Sequence, residues 1–178
     1  MNLVKTDFEG LYIIQSNCFK DLRGSFNKLY NAKEFSELGL NFQIKEYYYS
    51  TSKKNVIRGM HFQLPPFSHS KMINVLTGSI IDVVLDLRKS SKTFKKFFKI
   101  KIDNPNTSLF IPKGFAHGFK SLEDNTTVQY FVSSIYKPEY DTGIKYNSFG
   151  YDWGHVENQI ISERDLNFPD LKRFKSIF

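Results

Sequence analysis

The chain holds one cysteine, Cys18. No disulfide can close within it, and the expected compartment is the reducing cytosol. Long apolar runs are also missing. The longest, such as Leu11 to Ile14, fall far short of the roughly 20 residues that a membrane helix needs. Asp7 and Glu9 precede any apolar run, which is not how an export signal begins, so the expectation is a soluble, cytoplasmic protein without membrane partners. There is no acidic excess: 25 Lys+Arg against 18 Asp+Glu leave a charge of +7, with 40% hydrophobic residues. That balance excludes a disordered acidic chain. No repeat, linker or low-complexity tract interrupts the 178 residues. A single domain over 1–178 is expected, long enough to bury roughly two-thirds of its unfolded surface.

Aromatics are plentiful, with 18 Phe and 10 Tyr, as suits wide packed sheet faces. Turn signals recur about every 8–12 residues, the spacing of an antiparallel sandwich or barrel. Expected strands are Leu11 to Gln15, Phe26 to Tyr30, Phe42 to Ser50, Val56 to Gln63, Lys71 to Leu76, Ser79 to Asp86, Phe97 to Ile102, Ser108 to Ile111, Gly118 to Leu122 and Thr127 to Ser134. Thr77-Gly78 reads as a hairpin turn. Asn31 with Glu34, and Gly39 beyond, predict a short helix over Ala32 to Leu38. The last forty or so residues, with Trp153, Ser162-Glu163-Arg164-Asp165 and Pro169, predict short helical turns folded over the sheet. Much of the positive excess lies in Lys89 to Lys101, where Phe98, Ile100 and Ile102 alternate with Lys99 and Lys101. This is a half-buried strand with a wet lysine face rather than a nucleic-acid surface.

Three stretches concentrate polar residues that packing does not need: Phe19 to Phe26, Arg58-Gly59-Met60-His61-Phe62-Gln63 on to Lys71, and Pro112-Lys113-Gly114-Phe115-Ala116-His117-Gly118-Phe119. Strict alternation in the second places Arg58, Met60 and Phe62 on one face and Gly59, His61 and Gln63 on the other. Pro112, Gly114 and His117 fit the second half-motif of a cupin jelly roll. The first half, His61-Phe62-Gln63, lacks the second histidine and the glutamate of a metal cupin, so no metal and no cofactor are expected.

Taken together, Arg58 to Gln63, Asp82-Val83-Val84-Leu85-Asp86-Leu87-Arg88, Ile111 to Phe119, Trp153 and Ser162-x-x-Asp165 resemble the dTDP-4-dehydrorhamnose 3,5-epimerase family, over about Leu11 to Pro169. The resemblance implies an all-β, cupin-type jelly-roll barrel with a few short helices. It also implies a metal-independent homodimer, with exchange of the N-terminal segment between partners as one arrangement. The reaction implied is inversion at C3, at C5 or at both, beside the C4 ketone of a nucleoside-diphosphate sugar. By the same resemblance His61 is the base, Asp165 its carboxylate partner, Tyr130 the acid on the far face of the sugar, and Lys71 the cation beside the ketone oxygen. Arg23, Arg58 and His117 match residues that hold sugar and diphosphate, and Tyr136 matches an aromatic stacked on the nucleotide base.

Five positions depart from the family pattern. Lys28 stands for a glutamate, Glu46 and Tyr48 for two amides, Arg164 for a lysine and Asp141 for a glutamate. Because such positions contact the nucleotide or the neighbouring chain, the departures point to an altered nucleotide pocket. The candidate substrates are therefore a GDP-linked 4-keto heptose, for which the pocket would not favour thymidine, and dTDP-4-dehydro-6-deoxyglucose, in bacterial surface polysaccharide synthesis. A keto-isomerase and a non-catalytic sugar-binding cupin are the alternatives.

Overall fold

The computed structural model describes all residues, Met1–Phe178. In chain order the elements are β1 (Asn2–Lys5), β2 (Tyr12–Gln15), β3 (Cys18–Asp21), β4 (Gly24–Asn27), α1 (Ala32–Glu37), β5 (Glu46–Ser52), β6 (Val56–Gln63), β7 (Lys71–Thr77), β8 (Ile80–Asp86), β9 (Phe97–Ile102), β10 (Thr107–Ile111), β11 (Phe115–Ser121), β12 (Thr126–Val132), β13 (Asp141–Gly143), β14 (Ile160–Ile161) and α2 (Glu163–Leu166). Two sheets face each other. One runs β1-β2-β10-β7-β12-β5, and the other β13-β6-β11-β8-β9 with β14 alongside β6. A cupin-type jelly roll results. β3 and β4 pair only with each other and stand outside both sheets.

Alternation along the strands sorts the apolar residues into three layers. Ile73, Val75, Ile80, Val84, Leu109, Phe115, Phe119 and Val128 fill the space between the sheets. Outside the first sheet, Phe35 of α1 packs with Leu40 and Phe42 on Ile14, Met72 and Phe110. Over the second sheet the C-terminal segment lays Phe149, Trp153 and Leu171 on Ile57, Met60, Val83 and Leu85. Each such side chain contributes about 1.5–3 kcal/mol by leaving water. The indole N–H of Trp153 donates to the Tyr146 carbonyl at 2.8 Å, so burying the ring leaves no donor unpaired.

Helix α1 forms where its caps predict, with the Asn31 side chain accepting the N–H groups of Lys33 and Glu34. β9 is an edge strand whose Lys99 and Lys101 are exposed, as the alternation requires. Two expectations are corrected. Phe42 lies outside β5, because its ring is drawn into the α1 layer, 6.0 Å from Phe35 and 5.3 Å from Phe110. Thr77-Gly78 does not join paired strands either. β7 and β8 belong to different sheets, so the turn is a corner between layers, with Gly78 at φ +77° against Thr126.

Candidate active site

The strand that carries His61 is bulged. β6 pairs with β11 so that His117 faces His61 and Phe119 faces Arg58. Two residues of β11 thus span three of β6, and the extra residue resets the side-chain parity. Met60 and Phe62 point to the outer layer. Arg58 and His61 lie opposite Phe119 and His117 on the inner face. The strict alternation expected for 58–63 is therefore wrong. Gly59 makes the bulge possible: a Cβ there would sit 2.5 Å from the Gly118 Cα, and its φ is +139°.

The same bulge turns the Gly59 N–H toward α2. Ser162 caps that helix by accepting the Asp165 N–H at 3.1 Å, which aims the Asp165 carboxylate at β6. One oxygen accepts the Gly59 N–H at 2.9 Å and the other lies 2.7 Å from His61 Nε2. Burial pushes the Asp165 carboxyl up, but His61, the Gly59 N–H and Ser162 outweigh it and hold the group below the usual carboxylate range. An ionised Asp165 makes His61 Nε2 the N–H donor, and the lone pair is then left on Nδ1.

Tyr130 comes from the opposite sheet, on β12, and is 8% exposed. Its hydroxyl is 3.2 Å from Ser50 Oγ. Burial keeps the phenol protonated far beyond its ordinary range, against the pull of Ser50 and Arg58. Lys71, at the start of β7, is also buried, and its Nζ reaches the His61 carbonyl at 3.5 Å. Burial lowers its pKa to about 8, partly countered by Asp141 and Asp82.

His61 and Lys71 line a cavity of about 350 Å³ together with Glu46, Tyr48, Tyr136, Asp141 and Arg164; Asp165 stands behind His61 and Tyr130 behind Tyr48. Glu46 accepts the Tyr136 N–H at 2.8 Å, and Arg164 hydrogen-bonds Asp141. Arg58 donates to Ser52 Oγ at 3.1 Å and to the Thr51 carbonyl at 3.3 Å. His117 is buried, its Nε2 2.7 Å from Asp82 Oδ2. Burial lowers the His117 pKa although Asp82 opposes the shift.

Two expected residues are elsewhere. Arg23 tips the β3–β4 hairpin with its side chain 90% exposed, paired with Asp21 at 2.5 Å. Lys28 borders a separate depression with Met1, Asn17, Phe19 and Glu34. Within one chain neither joins the cavity, because the hairpin pairs with neither sheet.

Sequence reasoning missed three side chains. Asp82 is fully buried and holds His117; a single carboxylate inside the apolar run from Ile80 to Leu85 was its signal. Gln63 and His69 line the cavity, with Gln63 Nε2 3.1 Å from His69 Nδ1. The Lys137 N–H donates to Gln63 Oε1 at 2.6 Å, which fixes the amide's orientation. Burial first, then Lys71, lowers the His69 pKa to about 3, so this imidazole is neutral.

Comparison with known proteins brings the sequence and the geometry together. The family model described as dTDP-4-dehydrorhamnose 3,5-epimerase matches residues 5–173. The chain is 38% identical over 174 residues to the dTDP-4-dehydrorhamnose 3,5-epimerase of Methanothermobacter thermautotrophicus, covering 95% of this chain and 94% of that protein. With the Escherichia coli enzyme of that name it shares 36% identity, over 99% of this chain and all of the other. Among solved structures, the Elizabethkingia anophelis enzyme superposes with a TM-score of 0.90 at 37% identity, over 97% of both chains. The Legionella pneumophila epimerase, solved with dTDP-4-keto-L-rhamnose, gives 0.92 at 31% identity, over 98% of this chain and 94% of that one.

Proposed function

Because the chain belongs to the dTDP-4-dehydrorhamnose 3,5-epimerase family and is a nucleotide-sugar isomerase, we propose that its substrate is dTDP-4-dehydro-6-deoxyglucose. Inversion beside the C4 ketone would give the 4-dehydrorhamnose configuration. The observation that carries this reading is the placement of His61 and Tyr130 on facing sheets, because inversion needs a base and an acid on opposite sides of one planar intermediate.

In this mechanism His61 Nδ1 takes the proton from the carbon beside the ketone. The C–H electron pair moves into the enolate, whose negative oxygen is stabilised by the Lys71 ammonium. Asp165 holds the imidazole in the required tautomer and steadies the imidazolium. Tyr130 then gives its proton to the opposite face, and the electron pair returns to carbon. Arg58 and His117 hold the sugar diphosphate. Tyr136 stacks on the base, while Glu46, Tyr48, Asp141 and Arg164 shape the nucleotide end.

The dTDP-linked hexose is preferred to the GDP-linked heptose for two reasons. The relatives are dTDP-sugar epimerases by name, and the Glu46 carboxylate that would read guanine is already engaged by the Tyr136 N–H. We also propose a homodimer in which the β3–β4 hairpin carries Arg23 and Lys28 to the partner's cavity. The exposed Phe19, Leu22 and Phe26 on that hairpin support it, since an outlying apolar hairpin gains by being covered.

Proton NMR of the substrate in deuterium oxide tests the reading. An epimerase incorporates deuterium at C3 or C5 and yields inverted sugar. A keto-isomerase would move the carbonyl and a binding module would incorporate nothing, and either result overturns the proposal.

A further inference from the structure

Tyr48 lies flat on Tyr130. β5 and β12 place the two residues directly opposite each other, and their rings stack with centroids 4.8 Å apart and planes 19° apart. Opposed strand residues have Cβ atoms about 4.5–5.5 Å apart, so the stack follows from the sheet register. The two rings differ in burial. Tyr130 is 8% exposed, whereas Tyr48 is 44% exposed and forms part of the cavity wall. Beyond Tyr130, the His117 ring approaches edge-on at 6.4 Å, and Ser50 Oγ meets the hydroxyl. The Tyr130 phenol is thus clamped, with Tyr48 as the side facing the cavity.

The clamp matters because the enolate has two ways to regain a proton. It can take one back from His61 on the face it left, giving exchange with solvent and no inversion. It can instead take one from Tyr130 on the other face, giving inversion. Both routes add one proton and return the electron pair to carbon, so geometry alone separates them. A phenol ring turns about two torsions, and a ring free to turn carries its hydroxyl away from the reacting carbon.

We infer that Tyr48 is a positioning residue for Tyr130: its stacked ring fixes the phenol and thereby sets the ratio of inversion to simple exchange. The inference rests on the epimerase reading above. A Tyr48 that only touched substrate would change both routes alike and leave the ratio where it was.

The experiment compares wild type with Tyr48→Leu and Tyr48→Phe. The substrate is dTDP-4-dehydro-6-deoxyglucose in deuterium oxide, and the initial rates of deuterium entry and of inverted product are followed in the same tube. In Tyr48→Leu the ratio of inversion to exchange should fall roughly three- to tenfold, the scale on which one aromatic pair counts. Tyr48→Phe keeps the ring and should restore the ratio. Should the leucine variant not fold, Tyr48→Thr, a good strand former without a ring, replaces it with the same expectation. An unchanged ratio without the ring, or an equal fall in Tyr48→Phe, overturns the role. Wild-type protein that exchanges nothing would remove the epimerase reading and this role with it.

Discussion

The Asp165 carboxylate grips β6 at two points, accepting the Gly59 N–H at 2.9 Å through one oxygen and meeting His61 Nε2 at 2.7 Å through the other. The backbone bond fixes where the carboxylate sits. The imidazole bond then fixes which ring nitrogen is free. An amide at 165 could still accept from Gly59, but it would present an N–H₂ donor to Nε2 and force the histidine's proton onto Nδ1. Asp165→Asn should therefore lose about 10²- to 10⁴-fold in turnover while remaining folded. His61→Asn should abolish deuterium entry at every carbon. Wild-type exchange in His61→Asn would take the base role away from His61.

Tyr130→Phe separates acid from base. It removes the hydroxyl and keeps the ring that packs on Tyr48 and His117. The enolate should still form, so deuterium should enter with retained configuration while inverted product is lost by about 10²-fold or more. Product at the normal rate would assign the proton to another donor.

Lys71 gives a prediction with opposite signs for stability and activity. Burial lowers its pKa from 10.5 to about 8, so between those values the unfolded chain holds a proton that the folded one has released. Stability contributed by this group therefore rises with pH from about 8 to about 10.5 and is smallest at and below neutrality. Lys71→Met removes a buried charge and should stabilise the protein at pH 7 by roughly 1–3 kcal/mol. It should also cut turnover by about 10²-fold or more by removing the enolate's cation. In the wild type, turnover should fall as pH climbs through about 8. Thermal melts and a pH–rate profile check both arms, and a flat profile from pH 7 to 10 would exclude an ammonium role.

Much of the site was legible through the family resemblance, which, rather than alternation, nominates Lys71, Tyr130 and Asp165. Taken alone they read as a strand lysine, a packing tyrosine and a helix-start acid, and of the three Lys71 lines the cavity. What escaped was long-range. A bulge depends on the partner strand, so Arg58 and His61 sharing a face could not be read from β6 alone. The Thr77-Gly78 corner looks locally like a hairpin, and only sheet membership tells the two apart. Asp82 is inconspicuous until β11 brings His117 against it. Arg23 and Lys28 are assigned to the substrate by the family resemblance alone, and the β3–β4 hairpin beside them pairs with neither sheet, so its position depends on contacts that no strand pattern encodes.

The nucleotide end yields the last prediction. Glu46 and Tyr48 stand where the family carries amides, an exchange that by itself points away from thymidine. In the folded chain, however, Glu46 is spent on the Tyr136 backbone at 2.8 Å, and Asp141 is paired with Arg164. To accept both the ring N–H and the amino group of guanine, either carboxylate would have to share an oxygen that already holds a partner within the chain. A pocket that leaves polar edges of a base unpaired rejects it more strongly than one that only loses contact. Calorimetric titration should therefore rank dTDP tightest, with GDP weaker by about tenfold or more, the equivalent of roughly 1.4 kcal/mol. Glu46→Gln, which keeps an oxygen for the Tyr136 N–H, should leave that ranking in place. GDP binding as tightly as dTDP would show that the Glu46 carboxylate swings off Tyr136 to read the base, and would reinstate the purine-linked substrate.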